Sequence, residues 1–153
     1  MCFSPAFLLY YIAEDIMGIV YADITLKNFR DTSRAEDGLI KESEIRQKTV
    51  RAMVDTGAGT LVINEELCAQ LGLGIKGLRR ASFANDAKEI CKVTEPVEIH
   101  WNNRITAVLA LVVPNASEVL LGAIPLEDMD LIVDPARQAL TGAHGEDVVC
   151  LVM

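Results

Sequence analysis

Asp55, Thr56 and Gly57 stand where an apolar run, Thr49-Val-Arg-Ala-Met-Val54, gives way to short polar residues and glycine. A carboxylate on such a loop can hold a water molecule. One carboxylate alone is a weak base near neutrality, but two brought close together cannot both ionise; they share a proton and divide into a base and an acid. The ionised partner then takes a proton from water as it attacks a peptide carbonyl, and the protonated partner donates a hydrogen bond to the oxygen that gains charge. Gly57 allows close backbone approach and offers its N–H to the carboxylate, while the Thr56 hydroxyl can lock the loop. Asp-Thr-Gly occurs once in the 153 residues, so a second carboxylate of this kind has to come from a second copy of the chain.

Other chemistries find less support. Cys2, Cys68, Cys91 and Cys150 are widely separated, with no CxxC pair, and His100 and His144 stand alone, so neither zinc nor thioredoxin-like chemistry is expected. Reduced thiols and a cytoplasmic location follow as expectations. Gly72-Leu-Gly74-Ile-Lys-Gly77 matches GxGxxG, yet a helix is expected before it and Leu78-Arg-Arg80 after it, the reverse of the strand-then-helix context a dinucleotide needs. The acidic run Glu127-Asp128-Met129-Asp130 lacks the glycine and terminal glutamate of a calcium loop and reads as a solvated helix face. Asn115-Ala-Ser117 has the form of a glycosylation sequon, meaningful only in a secreted chain. No metal and no cofactor are expected. A net charge of -8 repels nucleic acid and anionic membranes, and eight aromatic residues supply few stacking platforms.

The elements that must position Asp55 can be read from length and pattern. The length suits one domain, and 51% hydrophobic residues suffice for a core. Residues 1–16 read as an N-terminal extension, either non-native or a disordered tail; its apolar stretch 3–13 is too short to span a bilayer and has no basic residue before Lys27. The domain is expected over 17–153, opening with a strand over 18–26. Lys27 to Lys48, rich in Asp, Arg, Glu and Ser, is expected to be a long solvated insertion. Strands are expected at 49–54 and 61–63, then a helix over 65–71 capped by Asn64 and stopped by Gly72. Ala81–Ala84 and Ala87–Ile90 read as a hairpin around Asn85-Asp86. Strands follow at 93–101 and 105–113 around Asn102-Asn103, the second so apolar that burial on both faces is expected. A short strand at 119–121 leads to Gly122 and a helix from Pro125 through Asp130. Leu131–Val133 and Gln138–Leu140 read as a second hairpin, and 147–153 as a terminal strand pattern needing a partner.

Val54-Asp-Thr-Gly-Ala-Gly-Thr60 resembles the active-site loop of retropepsin-like aspartic proteases. Val119-Leu-Leu-Gly-Ala123 resembles that family's hydrophobic-hydrophobic-Gly segment, Pro125 to Met129 the short helix after it, and Ala84-Asn85-Asp86 falls where the family has its flap. Order and spacing agree from Met17 to Thr141, most closely with the small single-domain bacterial and archaeal members. The resemblance implies an all-β, retropepsin-like acid protease barrel with one or two short helices, active as a homodimer on peptide or protein substrates. It implies that Asp55 is catalytic and Thr56 interlocks the loops. Gly57, Ala58 and Gly59 would line the cleft, with Ala84, Asn85 and Asp86 over the substrate and Leu120, Leu121 and Gly122 beneath the loop. In viral relatives the terminal strands of both chains interleave, which would give 147–153 its partner. Two departures stand out: Gly59 replaces an acidic residue that grips substrate in viral members, and the flap is Asn-Asp-Ala rather than glycine-rich. Gly59 favours the alternative of a non-catalytic dimeric peptide- or protein-binding module on the same fold.

Overall fold

The computed structural model describes residues 19–152. The leader 1–16, Met17 and Gly18, the first residue assigned to the opening strand, lie outside them, as does Met153. Nine strands are present among the described residues: β1 Val20–Asn28, β2 Gln47–Val54, β3 Leu61–Ile63, β4 Ile75–Ser82, β5 Lys88–Trp101, β6 Arg104–Val112, β7 Val119–Leu121, β8 Leu131–Asp134 and β9 Ala139–Gly142. Three helices join them: α1 Phe29–Glu36, α2 Glu65–Gln70 and α3 Ala123–Asp128.

The main sheet runs β1-β2-β7-β3-β6-β5-β4, and β1 pairs with β5 as well. That extra pairing, Thr25↔His100 through Asn28↔Val97, closes six strands into a barrel and leaves β4 outside as an arm on β5. Closure removes the edges of those six strands and leaves the outer edge of β4 open. Inward-facing Ile24, Leu26, Leu61, Ile63, Val97, Ile99 and Leu121 are almost wholly buried and fill the interior. Most neighbours are antiparallel, but β2–β7 and β3–β6 run parallel. The pleat gives β1 a near-strict inside–outside alternation.

Several expectations need correction. The polar stretch from Lys27 to Lys48 is mostly exposed, but it is not an irregular connection. Its first two residues end β1, then come α1, a 3₁₀ turn at Glu42–Glu44 and the start of β2, so the described residues hold three short helices. Asn28 caps α1 by accepting the Asp31 N–H (3.1 Å) and donates from Nδ2 to the Leu71 carbonyl (2.8 Å). Asp31, 4% exposed, takes a forked bond from Arg46, Nε to Oδ2 at 2.8 Å and Nη2 to Oδ1 at 2.9 Å. Polar residues with partners on distant elements are buried here without penalty. Strand β4 starts at Ile75, so Leu78-Arg-Arg80 is extended and the hairpin arms are far longer than expected. Strand β6 alternates: Arg104, Thr106, Val108, Ala110 and Val112 are buried while Ile105 is 59% exposed. Its apolar outer positions reflect partial cover, not a second core. Helix α3 spans Ala123–Asp128, so it starts two residues earlier and ends two earlier than read. Residues 148–152 form no strand within the chain, and Leu151 and Val152 are at least 90% exposed.

Candidate active site

Strand β7 lies between β2 and β3, so the loop that joins β2 to β3, residues 55–60, has to cross over the C-terminal end of β7. The hydrogen bonds follow from that crossing. The Asp55 N–H donates to the Leu121 carbonyl (3.0 Å), extending the β2–β7 ladder by one residue, and the Ala58 N–H donates to the Asp55 carbonyl (3.1 Å). From the other side the Ala123 N–H reaches the Ala58 carbonyl (2.8 Å) and the Ile124 N–H reaches the Gly59 carbonyl (3.0 Å). The Thr60 hydroxyl donates to the Leu109 carbonyl (2.8 Å). The loop is thereby tied to β6, β7 and α3.

Gly122 makes the crossing possible. A Cβ there would stand 2.3 Å from the Thr60 carbonyl oxygen and 2.5 Å from that of Ala58, so only a residue without a side chain lets the two backbones pass. Leu121 is fully buried beneath them, and Leu120 is paired with Met53 on β2 and Val62 on β3.

At the top of the loop the Asp55 carboxylate accepts the Gly57 N–H (2.9 Å to Oδ1). A Cβ on Gly57 would come within 3.1 Å of that same oxygen, whereas a Cβ on Gly59 would meet nothing. Asp55 is half-buried, and Thr56 is exposed with no hydroxyl partner among the described residues. The arrangement presents one oriented carboxylate and one unpaired hydroxyl on a rigid, backbone-bonded loop.

The hairpin is tightly built at its tip. The Phe83 N–H donates to the Ala87 carbonyl, the Asp86 N–H to the Phe83 carbonyl, and the Ala87 N–H to Asn85 Oδ1 (3.1 Å). Asp86 takes φ +62°, which aspartate tolerates better than most residues. Below the tip an open cleft of about 560 Å³ is lined on one side by Phe83, Ala84, Asn85, Ala87 and Glu89 and on the other by the loop Val113–Ala116. Ala84 and Asn85 therefore face a cavity. Asp86 does not line it, nor do Asp55, Ala58 and Gly59, so a single chain does not gather all the expected site residues into one cavity. The sequence reading missed Thr60, Phe83 and Val113–Ala116. Phe83 carried a signal, being an aromatic next to a turn pair, and Pro114-Asn115 marked a loop at the end of an apolar strand.

Among the described residues no group of three or more His, Cys, Asp or Glu side chains could hold a metal ion. Cys68 and Cys91 are buried free thiols, which burial pushes above their ordinary pKa, and Cys150 is exposed. No described helix is long and apolar enough to cross a membrane.

The profile of the family described as "gag-polyprotein putative aspartyl protease" matches residues 42–128, more than half of the chain. The chain belongs to that family, and its closed barrel with few short helices is of the retropepsin type. Among solved structures it is similar to the retroviral protease-like domain of Ddi1 from Leishmania major, with 13% identity over 80% of this chain and 86% of that one and a TM-score of 0.49. It is also similar to a retropepsin-like aspartic protease from Rickettsia conorii, with 17% identity over 76% and 82% and a TM-score of 0.42. A search of curated proteins gives no match.

Proposed function

We propose that the chain is one half of an aspartic endopeptidase, completed when two copies bring their Asp55 side chains together on a two-fold axis. The observation that carries this reading is the Asp55 loop itself: a carboxylate oriented by the Gly57 N–H on a backbone fixed by Leu121, Ala123 and Ile124. Membership in an aspartyl protease family supports the general activity, and the single Asp-Thr-Gly of the sequence supports the need for a second copy. In the dimer the two carboxylates share one proton. The ionised one draws a proton from a water held between them as that water attacks the scissile carbonyl; the protonated one donates to the carbonyl oxygen. The Thr56 hydroxyl, without a partner among the described residues, is available to the other loop. Peptide lies across the paired Asp55 loops, with Ala84 and Asn85 of the hairpin tip over it.

Gly59, which offers no side chain to a substrate, favours a second reading as a dimeric binding module without turnover. Cleavage of a peptide library from acid to neutral pH, by the wild-type chain and by Asp55→Asn, separates the two. The expected result is cleavage that falls at least about a thousandfold in the variant. Absence of Asp55-dependent cleavage at every pH would leave the binding module.

A further inference from the structure

We propose that the free edge of β4 is a docking strip for an extended, acidic polypeptide segment. This rests on the reading of the chain as a peptidase and names the class of substrate it would recruit. Strand β4 hydrogen-bonds to β5 alone and is the open end of the sheet. Seven of its eight residues are exposed, so a row of backbone N–H and C=O groups is free to accept another strand.

The arm is also the basic part of an acidic molecule. Residues 75–92 hold five of the 14 Lys and Arg but only two of the 22 Asp and Glu, a net +3 in a chain of -8. Lys92 is paired with Glu65 at 3.5 Å. Lys76, Arg79, Arg80 and Lys88 have no hydrogen-bond or ion-pair partner among the described residues.

Register sorts these charges. Leu78 lies opposite Lys92, Arg80 opposite Ile90 and Ser82 opposite Lys88, so these six share the outer face. Arg79 lies opposite buried Cys91 on the other face. On the outer face Leu78 and Ile90 are each 67% exposed, which sets two aliphatic side chains beside Arg80 and Lys88, with Lys92 held by Glu65. A strand added along β4 places successive side chains on alternate faces. Two adjacent acidic residues therefore meet Arg79 and Arg80, one on each face, and an aliphatic residue two positions along meets Leu78. The same charges keep two β4 edges from pairing with each other, which argues against a second copy as the occupant. The overall charge of -8 argues against an anionic membrane.

Binding can be measured without turnover. The Asp55→Asn protein is titrated into a short fluorescein-labelled peptide carrying Glu-Glu-Val, and fluorescence anisotropy is read at pH 7. Saturable binding is expected, weakened at least about tenfold by Arg79→Glu with Arg80→Glu, by Gln-Gln in the peptide, and by high salt. Circular dichroism of the double variant confirms its fold. Equal affinity for the Glu and Gln peptides, or unchanged binding by the folded double variant, would overturn the proposal. So would a double variant that loses co-sedimentation with phosphatidylserine vesicles, or loses dimerisation, while still binding the peptide. Because Asp55→Asn does not cleave, failure here leaves the peptidase reading standing, and loss of the peptidase reading leaves this binding measurable.

Discussion

Gly122 is a residue whose role comes from the space it leaves empty. Its Cα passes under the Ala58 and Thr60 backbones with no room for a methyl group, so Gly122→Ala has to push the active-site loop away or distort β7. Overpacking of this kind costs about 3 kcal/mol where neither backbone can yield. The expected outcome is a lower urea midpoint and loss of cleavage together, whereas Gly59→Ala, which meets open space, should leave stability near the wild-type value. Both Asp55 and Gly122 were legible in the sequence because each belongs to a short motif whose function is local. Phe83 and Thr60 were not, since one acts by lining a cleft with residues 30 positions away and the other by bonding to Leu109 across the barrel.

At the scale of elements, the insertion between β1 and β2 shows what pattern alone misses. Residues 27–48 look solvated because their apolar residues are sparse. Asn28 and Asp31 are nonetheless buried, because Arg46, Leu71 and Gly72 satisfy them, and no periodicity announces a partner 15 or 43 residues distant. The Arg46 guanidinium donates to the Asp31 carboxylate and holds it below the usual carboxylate range. A depressed folded-state pKa means the contribution is present above the unfolded value of about 4 and is lost as pH falls through the folded one. Asp31→Asn should therefore lower stability by about 1–2 kcal/mol at pH 7, a modest figure because Arg46 is half-exposed. Denaturant titrations should show the gap between wild type and variant closing as the pH drops below about 4. At the other end, Arg104 is buried and donates to the carbonyls of Met129, Asp130, Gly145 and Asp147. The Asp130 carboxylate, lowered in pKa by the His144 ring, also accepts the Val149 N–H. This clasp fixes the approach of residues 148–152, whose apolar side chains stay exposed. From sequence, Arg104 is only a residue after a turn.

For the molecule as a whole, charge and assembly are opposed. Each chain carries -8, so two copies repel and apolar contact has to bring them together. Light scattering at micromolar protein should show the dimer fraction rising with salt as repulsion is screened, and on the proposed shared site specific activity should rise with protein concentration. A dimer weakened by salt would mean that ion pairs hold it instead. The ties between the Asp55 loop and residues 121–124 have a further consequence, which concerns time. While the chain is being made, the Asp-Thr-Gly loop emerges long before Leu121, Gly122, Ala123 and Ile124, and the parallel β2–β7 and β3–β6 pairings cannot form until those later strands exist. Such distant pairings are slow to close. A chain still on the ribosome therefore carries Asp55 with no floor beneath it, and the Asp-Thr-Gly loop takes its final shape only when the barrel is shut.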